Sequence, residues 1–175
     1  MRFDVIASDV DETLEAVALP EAVARLALKK ARAVAASRTA ALVIGADTIV
    51  VIDGRPLGKP ASADDARAML RALRGRTHEV MTGVAVLDSA TGRHAADTVI
   101  SRVTMAAYSE RDIDAYVATG EPLDKAGAYA IQGAGGALVA ALDGSRSNVV
   151  GLPLAATAEL LRGFGVSVSV PSQET

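Results

Sequence analysis

Asp47 is the first residue in this sequence whose type and position suggest chemistry. It lies between two apolar runs, residues 41–46 and 49–51. A carboxylate placed between buried segments is costly unless it is paired, hydrogen-bonded or bound to a metal. Burial and charged neighbours of this kind also tune carboxylates for catalysis. Asp47 is therefore a candidate metal ligand or general base, and a turn or capping aspartate is the structural alternative.

A second acidic group, made of Asp9, Asp11 and Glu12, lies near the start of the sequence. Three acids within four positions suit a hard cation such as Mg²⁺, which takes oxygen ligands and keeps several waters. A solvated acidic turn fits the same residues, and the residues alone favour that simpler interpretation.

Three of the four lysines occupy special settings. Lys30 falls on the apolar stripe of a predicted helix, Lys59 lies between a glycine and a proline, and Lys125 opens a glycine-rich loop. A compact ammonium group with three donors suits phosphate oxygens as a point charge. For Lys30 taken alone, a boundary lysine with a buried stem and a solvated ammonium is the simpler interpretation.

The segment 121–133 mixes polar side chains with glycines, which let backbone amides approach a ligand closely. It is not a P-loop, since the GxxxxGK[ST] pattern is absent. The amide of Gln132 carries a donor and an acceptor that could read the edge of a base. A tight connection in which Gln132 ties down the loop is the structural alternative.

Composition excludes several classes of function. The chain has 175 residues, no cysteine and two histidines, which excludes disulfides, thiolate nucleophiles and Cys- or His-rich metal sites. Dispersed basic residues, a net charge of −3 and no tryptophan argue against a nucleic-acid polymer as partner. No apolar run approaches the ~18–20 residues of a membrane span, and the N-terminus turns acidic too early for a secretory signal. We therefore expect a cytoplasmic protein without a membrane partner.

The elements that must position these residues mix strands and helices. Apolar runs predict strands at residues 3–7, 41–46 with a continuation through 48–52, 79–87, 99–108 and 137–142. Capping residues and helical spacing predict helices at residues 20–37, 63–73, 110–119 and 153–162. We expect one mixed α/β (α+β) domain over residues 1–175, with a flexible tail at 166–175.

In order along the chain, seven motifs resemble those of the Maf family of nucleoside triphosphate pyrophosphatases. The matching stretches are DVDET (9–13), LALKKARAV (26–34), GADTIV (45–50), LGKP (57–60), the run from Ala66 through Leu73 to GRTHEVMTGVAV (75–86), YVATGEPLDKAGAYAIQGAGG (116–136) and SNVVGLPL (147–154). Each stretch alone is weak evidence, but their joint order and spacing over nearly the whole chain are specific.

The resemblance implies a Maf/ITPase-like fold, with a mixed twisted sheet flanked by helices and a central nucleotide cleft. It implies a house-cleaning enzyme that hydrolyses nucleoside triphosphates to the monophosphate and diphosphate. Asp47 matches the family's catalytic aspartate, and Glu12 matches its acidic partner. We expect these two carboxylates to hold a divalent cation, Mg²⁺ or Mn²⁺. Lys30 and Lys59 match its phosphate-contacting lysines, and Lys125 is a further substrate-binding candidate.

The resemblance also indicates a branch of the family. Thr48 and Gln132 fit the branch that acts on dTTP, UTP and modified pyrimidine nucleotides. The branch directed at 7-methyl-GTP has Glu-Gly-Leu-Gly near the position of Gln132, and this chain lacks it. Homodimers are common in such families, and nothing in the sequence demonstrates one.

One departure from the family concerns the start of the sequence. Family members begin with a strand and the motif Ser-x-Ser-Pro-Arg-Arg, and neither precedes the motifs here. We expect that the sequence starts downstream of the true start codon, with a genuinely shortened protein as the alternative. A shortened protein would favour a different function, as a catalytically impaired nucleotide-binding protein or a regulator, because family members have been associated with inhibition of septum formation.

Residues 9–13 carry a second, shorter resemblance. They match the DxDxT signature of haloacid-dehalogenase-like phosphatases, in which Asp9 would be the nucleophile and Asp11 the general acid. Glu12 stands where that family usually has glycine, and no later motif supplies its metal site. This phosphatase is the remote alternative.

Overall fold

The computed structural model describes residues 3–170, in which strands and helices are mixed along the chain. The strands are β1 (Leu42–Ile52), β2 (Arg55–Leu57), β3 (Thr77–Asp88), β4 (His94–Met105) and β5 (Val139–Asp143). The α-helices are α1 (Leu19–Ala35), α2 (Ala63–Leu73), α3 (Glu110–Ala118), α4 (Arg146–Val150) and α5 (Leu154–Gly163). Short 3-10 turns cover Glu121–Asp124, Ala126–Ala128 and Ala134–Leu138. The predicted mixed α/β class is confirmed.

The strands form one sheet in the order β2-β1-β3-β4-β5. β2 returns antiparallel along the end of β1, with Val50 opposite Leu57. The turn between them places Asp53 and Gly54 at positive φ, which glycine and aspartate tolerate better than most residues. β5 pairs antiparallel with β4.

The chain divides into two compact units. The first contains residues 3–47, 82–99 and 151–170, and the second contains residues 48–81 and 100–150. The expectation of one domain over residues 1–175 stays a prediction. So does the tail predicted at 166–175: residues 166–170 carry no helix or strand, and residues 171–175 lie outside the described residues.

In the first unit, α1 packs directly on the backbone of two strands. Its buried face is built from small and branched residues, including Ala27 and Ala31. A Cβ added at Gly45 of β1 would lie 2.9 Å from the Ala31 nitrogen, and one added at Gly83 of β3 would collide with the Val23 backbone. Glycine at both strand positions is therefore what lets the helix come this close.

The core of the second unit lies between α2, α3 and the sheet residues of that unit. Leu70, Leu73 and Ile113 are fully buried in it. Both helices begin at predicted N-caps: the Ser62 side chain accepts from the Asp65 N–H, and Ser109 forms a capping box with Asp112. The prediction of α2 at residues 63–73 is confirmed at both ends.

Two predictions about strands were wrong. Residues 3–7 form no strand, and Phe3 and Val5 are 74% and 88% exposed. An apolar run becomes a strand only where neighbouring backbone pairs with it and a core covers one face. The first half of β1 was expected to be buried, yet Leu42 and Ile44 are exposed because only alternate residues of that half face α1.

None of the helices within residues 3–170 is long and apolar enough to cross a membrane.

Candidate active site

Lys30 is the centre of the candidate site in the first unit. Its Nζ donates a hydrogen bond to Asp47 Oδ1 at 2.7 Å and forms an ion pair with Glu12 Oε1 at 2.6 Å. The Lys30 and Asp47 side chains are only 16% and 11% exposed, whereas Glu12 is 54% exposed. Two carboxylates from distant parts of the sequence therefore converge on one ammonium group.

The local fold explains why Asp47 meets Lys30. Residues 43, 45 and 47 alternate onto one face of β1, and α1 packs on that face at Gly45. Lys30 lies beside Ala31 at the edge of the packed face of α1. Because the helix sits on the Gly45 backbone, the next side chain on that face, Asp47, reaches the ammonium directly.

The electrostatics of this cluster keep Lys30 charged. Burial alone would lower the pKa of Lys30, but hydrogen bonds to Asp47 and Glu12, together with their negative charges, outweigh it and raise the pKa above its ordinary value. The cluster carries two carboxylates against one ammonium. It is therefore suited to hold a further positive charge.

The segment carrying Glu12 is attached to α1 by a lysine that the sequence analysis missed. Lys29 Nζ donates to the Asp11 backbone carbonyl at 2.6 Å. The side-chain hydroxyl and then the backbone N–H of Thr13 donate to the Asp11 carboxylate and lower the pKa of that carboxyl. Lys29 faces away from the apolar stripe, so helical periodicity gave it no role. Its adjacency to Lys30 was the available signal.

A divalent cation fits Glu12 and Asp47 but not the acidic run by itself. Within residues 3–170, no three His, Cys, Asp or Glu side chains group together as a metal site, so Asp9, Asp11 and Glu12 do not form one. Glu12 and Asp47 approach the same Nζ atom, so their oxygens are available at one place. Two carboxylates with several waters and substrate phosphates form the donor set that Mg²⁺ takes in enzymes.

In the second unit, a backbone hydrogen bond links the loop of Lys59 to the segment of Lys125. The Gly127 N–H donates to the Gly58 carbonyl at 3.0 Å, which joins the loop of Lys59 to the segment of Lys125. Lys125 Nζ pairs with Asp124 at 2.8 Å. The hydrogen bond from Lys125, and then the charges of Lys125 and Lys59, lower the pKa of Asp124.

Gln132 lies on a separate loop of the second unit. It is exposed and lines an open depression of about 450 Å³, together with Gly133, residues 139–142 and Arg146. An Arg146 N–H donates to the carbonyl of Ile131, the residue before Gln132, at 3.2 Å.

The sequence itself decides the family. Residues 1–164 match the family model described as Maf-like protein. This chain belongs to the Maf family.

Relatives of this Maf chain cover nearly its whole length. It is 53% identical over 169 residues to a protein of Moorella thermoacetica, a match that covers 96% of this chain and 87% of the relative. A Myxococcus xanthus protein is 52% identical, with 95% and 84% covered, and a Desulforamulus reducens protein is 46% identical, with 96% and 88% covered. All three are named dTTP/UTP pyrophosphatase.

The predicted site residues of the Maf chain fall into two groups, each within one unit. They are Glu12, Lys30 and Asp47 in the first unit, and Thr48, Lys59, Lys125 and Gln132 in the second. Direct ion pairs join the first group, and the Gly127–Gly58 backbone hydrogen bond links the segments of the two lysines of the second. Thr48 is half-buried in β1. The functional roles of all seven residues stay predictions.

The phosphatase alternative finds no support in the fold. Its nucleophile, Asp9, would have to follow a strand, as the signature requires. Asp9 is instead exposed on a segment that has neither helix nor strand between residues 3 and 14.

Proposed function

We propose that this Maf-family protein hydrolyses dTTP, UTP and modified pyrimidine nucleoside triphosphates to the monophosphate and diphosphate. The observation that carries the proposal is the cluster in which Lys30 contacts both Asp47 and Glu12. It lies in a chain about half identical to proteins named dTTP/UTP pyrophosphatase. The proposal includes a cytoplasmic location, and it includes no nucleic-acid polymer or membrane as partner.

Asp47 is the proposed general base. Its carboxylate takes a proton from water, the water oxygen bonds to the α-phosphorus, and the bond from that phosphorus to the bridging oxygen breaks. Diphosphate leaves with the bridging oxygen and its electron pair. Lys30 orients the base, because its Nζ donates to Asp47 Oδ1 at 2.7 Å. The low exposure of the Asp47 side chain limits competition from bulk water.

Glu12 and Asp47 would hold the divalent cation, Mg²⁺ or Mn²⁺. Such a cation polarises the phosphoryl oxygens and offsets their charge when it is bound. Glu12 is the more exposed of the two carboxylates, and its segment is tied to α1 through Lys29. This attachment places the Glu12 carboxylate beside Lys30 and leaves Glu12 exposed to solvent.

Lys59 and Lys125 are the proposed phosphate-binding residues of the second unit. Placing cations where charge develops on phosphate oxygens is usually the largest contribution to phosphoryl-transfer catalysis. Lys59 is exposed, and Lys125 is half-buried beside Asp124. Thr48 and Gln132 are the proposed nucleoside contacts, with the Gln132 amide reading the base.

The test measures diphosphate and orthophosphate release from dTTP, UTP and 7-methyl-GTP, with Mg²⁺, with Mn²⁺ and with a chelator. We expect metal-dependent diphosphate from dTTP and UTP. Asp47→Asn should lower kcat/KM by at least ~10²-fold, because the base is lost while the shape is kept. Asp53→Asn is the matched control, since Asp53 forms an exposed ion pair with Arg76.

Three outcomes would contradict the proposal. Orthophosphate release that depends on Asp9 would indicate the phosphatase. Metal-dependent nucleotide binding without turnover would indicate the non-catalytic regulator. Full activity of the Asp47→Asn variant would show that Asp47 is not the general base.

A further inference from the structure

Glu121 is a half-buried carboxylate that the proposed chemistry does not use. Its Oε1 accepts hydrogen bonds from the Tyr116 hydroxyl at 2.8 Å and from the Gly135 N–H at 3.1 Å. Its Oε2 accepts from the Ala134 N–H at 3.0 Å. Three donors are therefore gathered on one side chain, and two of them belong to the backbone just after Gln132.

Tyr116 extends this attachment to the backbone before Gln132. Its hydroxyl donates to Glu121 and accepts from the Ala130 N–H at 3.1 Å. The Tyr116–Glu121 pair thus holds the chain at residue 130 and again at residues 134–135. Residues 131–133 lie between the two attachments, with Gln132 in the middle.

The glycines of this turn let the same pair approach the backbone closely. A Cβ at Gly133 would collide with the Glu121 carboxylate, and one at Gly135 would lie 2.5 Å from the Tyr116 hydroxyl oxygen. The turn is therefore folded tightly against the two side chains. From another direction, Arg146 donates to the Ile131 carbonyl at 3.2 Å. The backbone around Gln132 is fixed, while its side chain stays exposed.

We propose that Glu121 is a positioning residue for base recognition, acting through Gln132. The inference rests on the proposed function, which supplies the pyrimidine substrate. Uracil and thymine present an N3–H donor between two carbonyl acceptors, so one amide can accept from N3–H and donate to a carbonyl. Cytosine has an acceptor at N3 and an amino donor at C4 instead, so an amide set for uracil pairs with it only after a half-turn of its end group. Such paired recognition requires the amide to be held at a set distance from the base.

The number of bonds lost sets the expected size of the effect. Glu121→Gln keeps an oxygen for two of the three donors, but its NH₂ group faces the Ala134 N–H, which is also a donor. A misplacement of about 1 Å in a site can cost about 10²-fold. We therefore expect this partial loss to lower the ratio of kcat/KM for UTP to that for CTP by about tenfold.

The experiment compares this UTP/CTP ratio among variants of the full chain. The set is the wild type, Glu121→Gln, Tyr116→Phe, Gln132→Ala and the double variant Glu121→Gln/Gln132→Ala. Glu110→Gln is the matched control, because Glu110 lies at the start of α3 in exposed ion pairs with Arg71 and Arg74. Urea unfolding of each variant separates lost stability from lost discrimination, since a general loss of folded protein lowers both rates equally.

The expected result is a lower ratio in Glu121→Gln and Tyr116→Phe, and a ratio in the double variant no lower than in Gln132→Ala alone. An unchanged ratio in Glu121→Gln, in a protein whose wild type hydrolyses UTP, would overturn the inference and leave the proposed function intact. So would effects of Glu121→Gln and Gln132→Ala that simply multiply. Failure of the wild type to hydrolyse any pyrimidine triphosphate would instead overturn the proposed function.

Discussion

His78 should make the stability of this protein decline as the pH falls below about 6.5, before most carboxylates begin to titrate. The residue lies in β3 and is 2% exposed. Its Nε2 is 2.8 Å from the Tyr129 hydroxyl oxygen, and the two rings pack edge to face. Its Nδ1 is buried and has no hydrogen-bond partner among residues 3–170. Burial lowers the pKa of His78 from 6.5 to about 4.

The direction and size of the effect follow from this pKa. Because burial disfavours protonation of His78 in the folded state, His78 takes up its proton first in the unfolded chain as the pH falls below 6.5. The free energy of unfolding therefore decreases between pH 6.5 and about pH 4 and is unaffected by His78 above that window. At about 1.36 kcal/mol per pH unit, the full loss is about 3 kcal/mol, of which about 2 kcal/mol is lost by pH 5.

Urea unfolding at pH 7.5, 6, 5 and 4.5 measures this loss. His78→Gln removes the titrating ring and keeps a polar group for Tyr129, so its stability should decline less than that of the wild type over this range. His94→Gln, at the exposed histidine, is the matched control and should follow the wild type. If the free energy of unfolding fell equally with pH in the wild type and in His78→Gln, the reasoning would be refuted.

Two further variants test the candidate site and its support. Lys30→Gln should lower kcat/KM for UTP by about 10²-fold, because it removes the ammonium that both carboxylates contact. Arg162→Gln, which removes an exposed cation of the same unit, should leave kcat/KM unchanged. Gly45→Ala should lower the free energy of unfolding by about 3 kcal/mol, because its Cβ meets the α1 backbone. Gly163→Ala, whose Cβ meets no atom, should not destabilise the fold in urea unfolding, and a Gly45→Ala protein as stable as the wild type would contradict this packing.

The sequence predicted best those features that depend on residues close to one another along the chain. The helix α2 runs from Ala63 to Leu73 because the Ser62 cap and an apolar spacing act within a dozen residues. The strand β1 runs through Asp47 as predicted, since Lys30 supplies the partner that a carboxylate in that place requires. The apolar stripe of α1 already carried Lys30, so both members of the ion pair were candidates before their contact was known.

Interactions over long sequence distances could not be predicted. Residues 3–7 have the composition of a strand, but composition does not show whether a sheet edge is available to them. Glu121 lies in a motif in which only the glycines and Gln132 suggested contacts with a ligand. Its bonds to residues 134 and 135 depend on how a 3-10 turn brings them back, and residue spacing does not encode that path.

The glycine contacts beneath α1 also bear on how the sequence can drift over evolution. Where a helix rests on side chains, each core substitution changes the spacing and every group on the helix moves with it. Here the backbone of α1 meets the backbones of β1 and β3 at Gly45 and Gly83. The separation of Lys30 from Asp47 is therefore set by backbone contacts, and Ala31, whose Cβ also lies at the Gly45 contact, shares the need for a small side chain. Selection on catalysis would therefore act on the two glycines and on the small residues of α1 that face them.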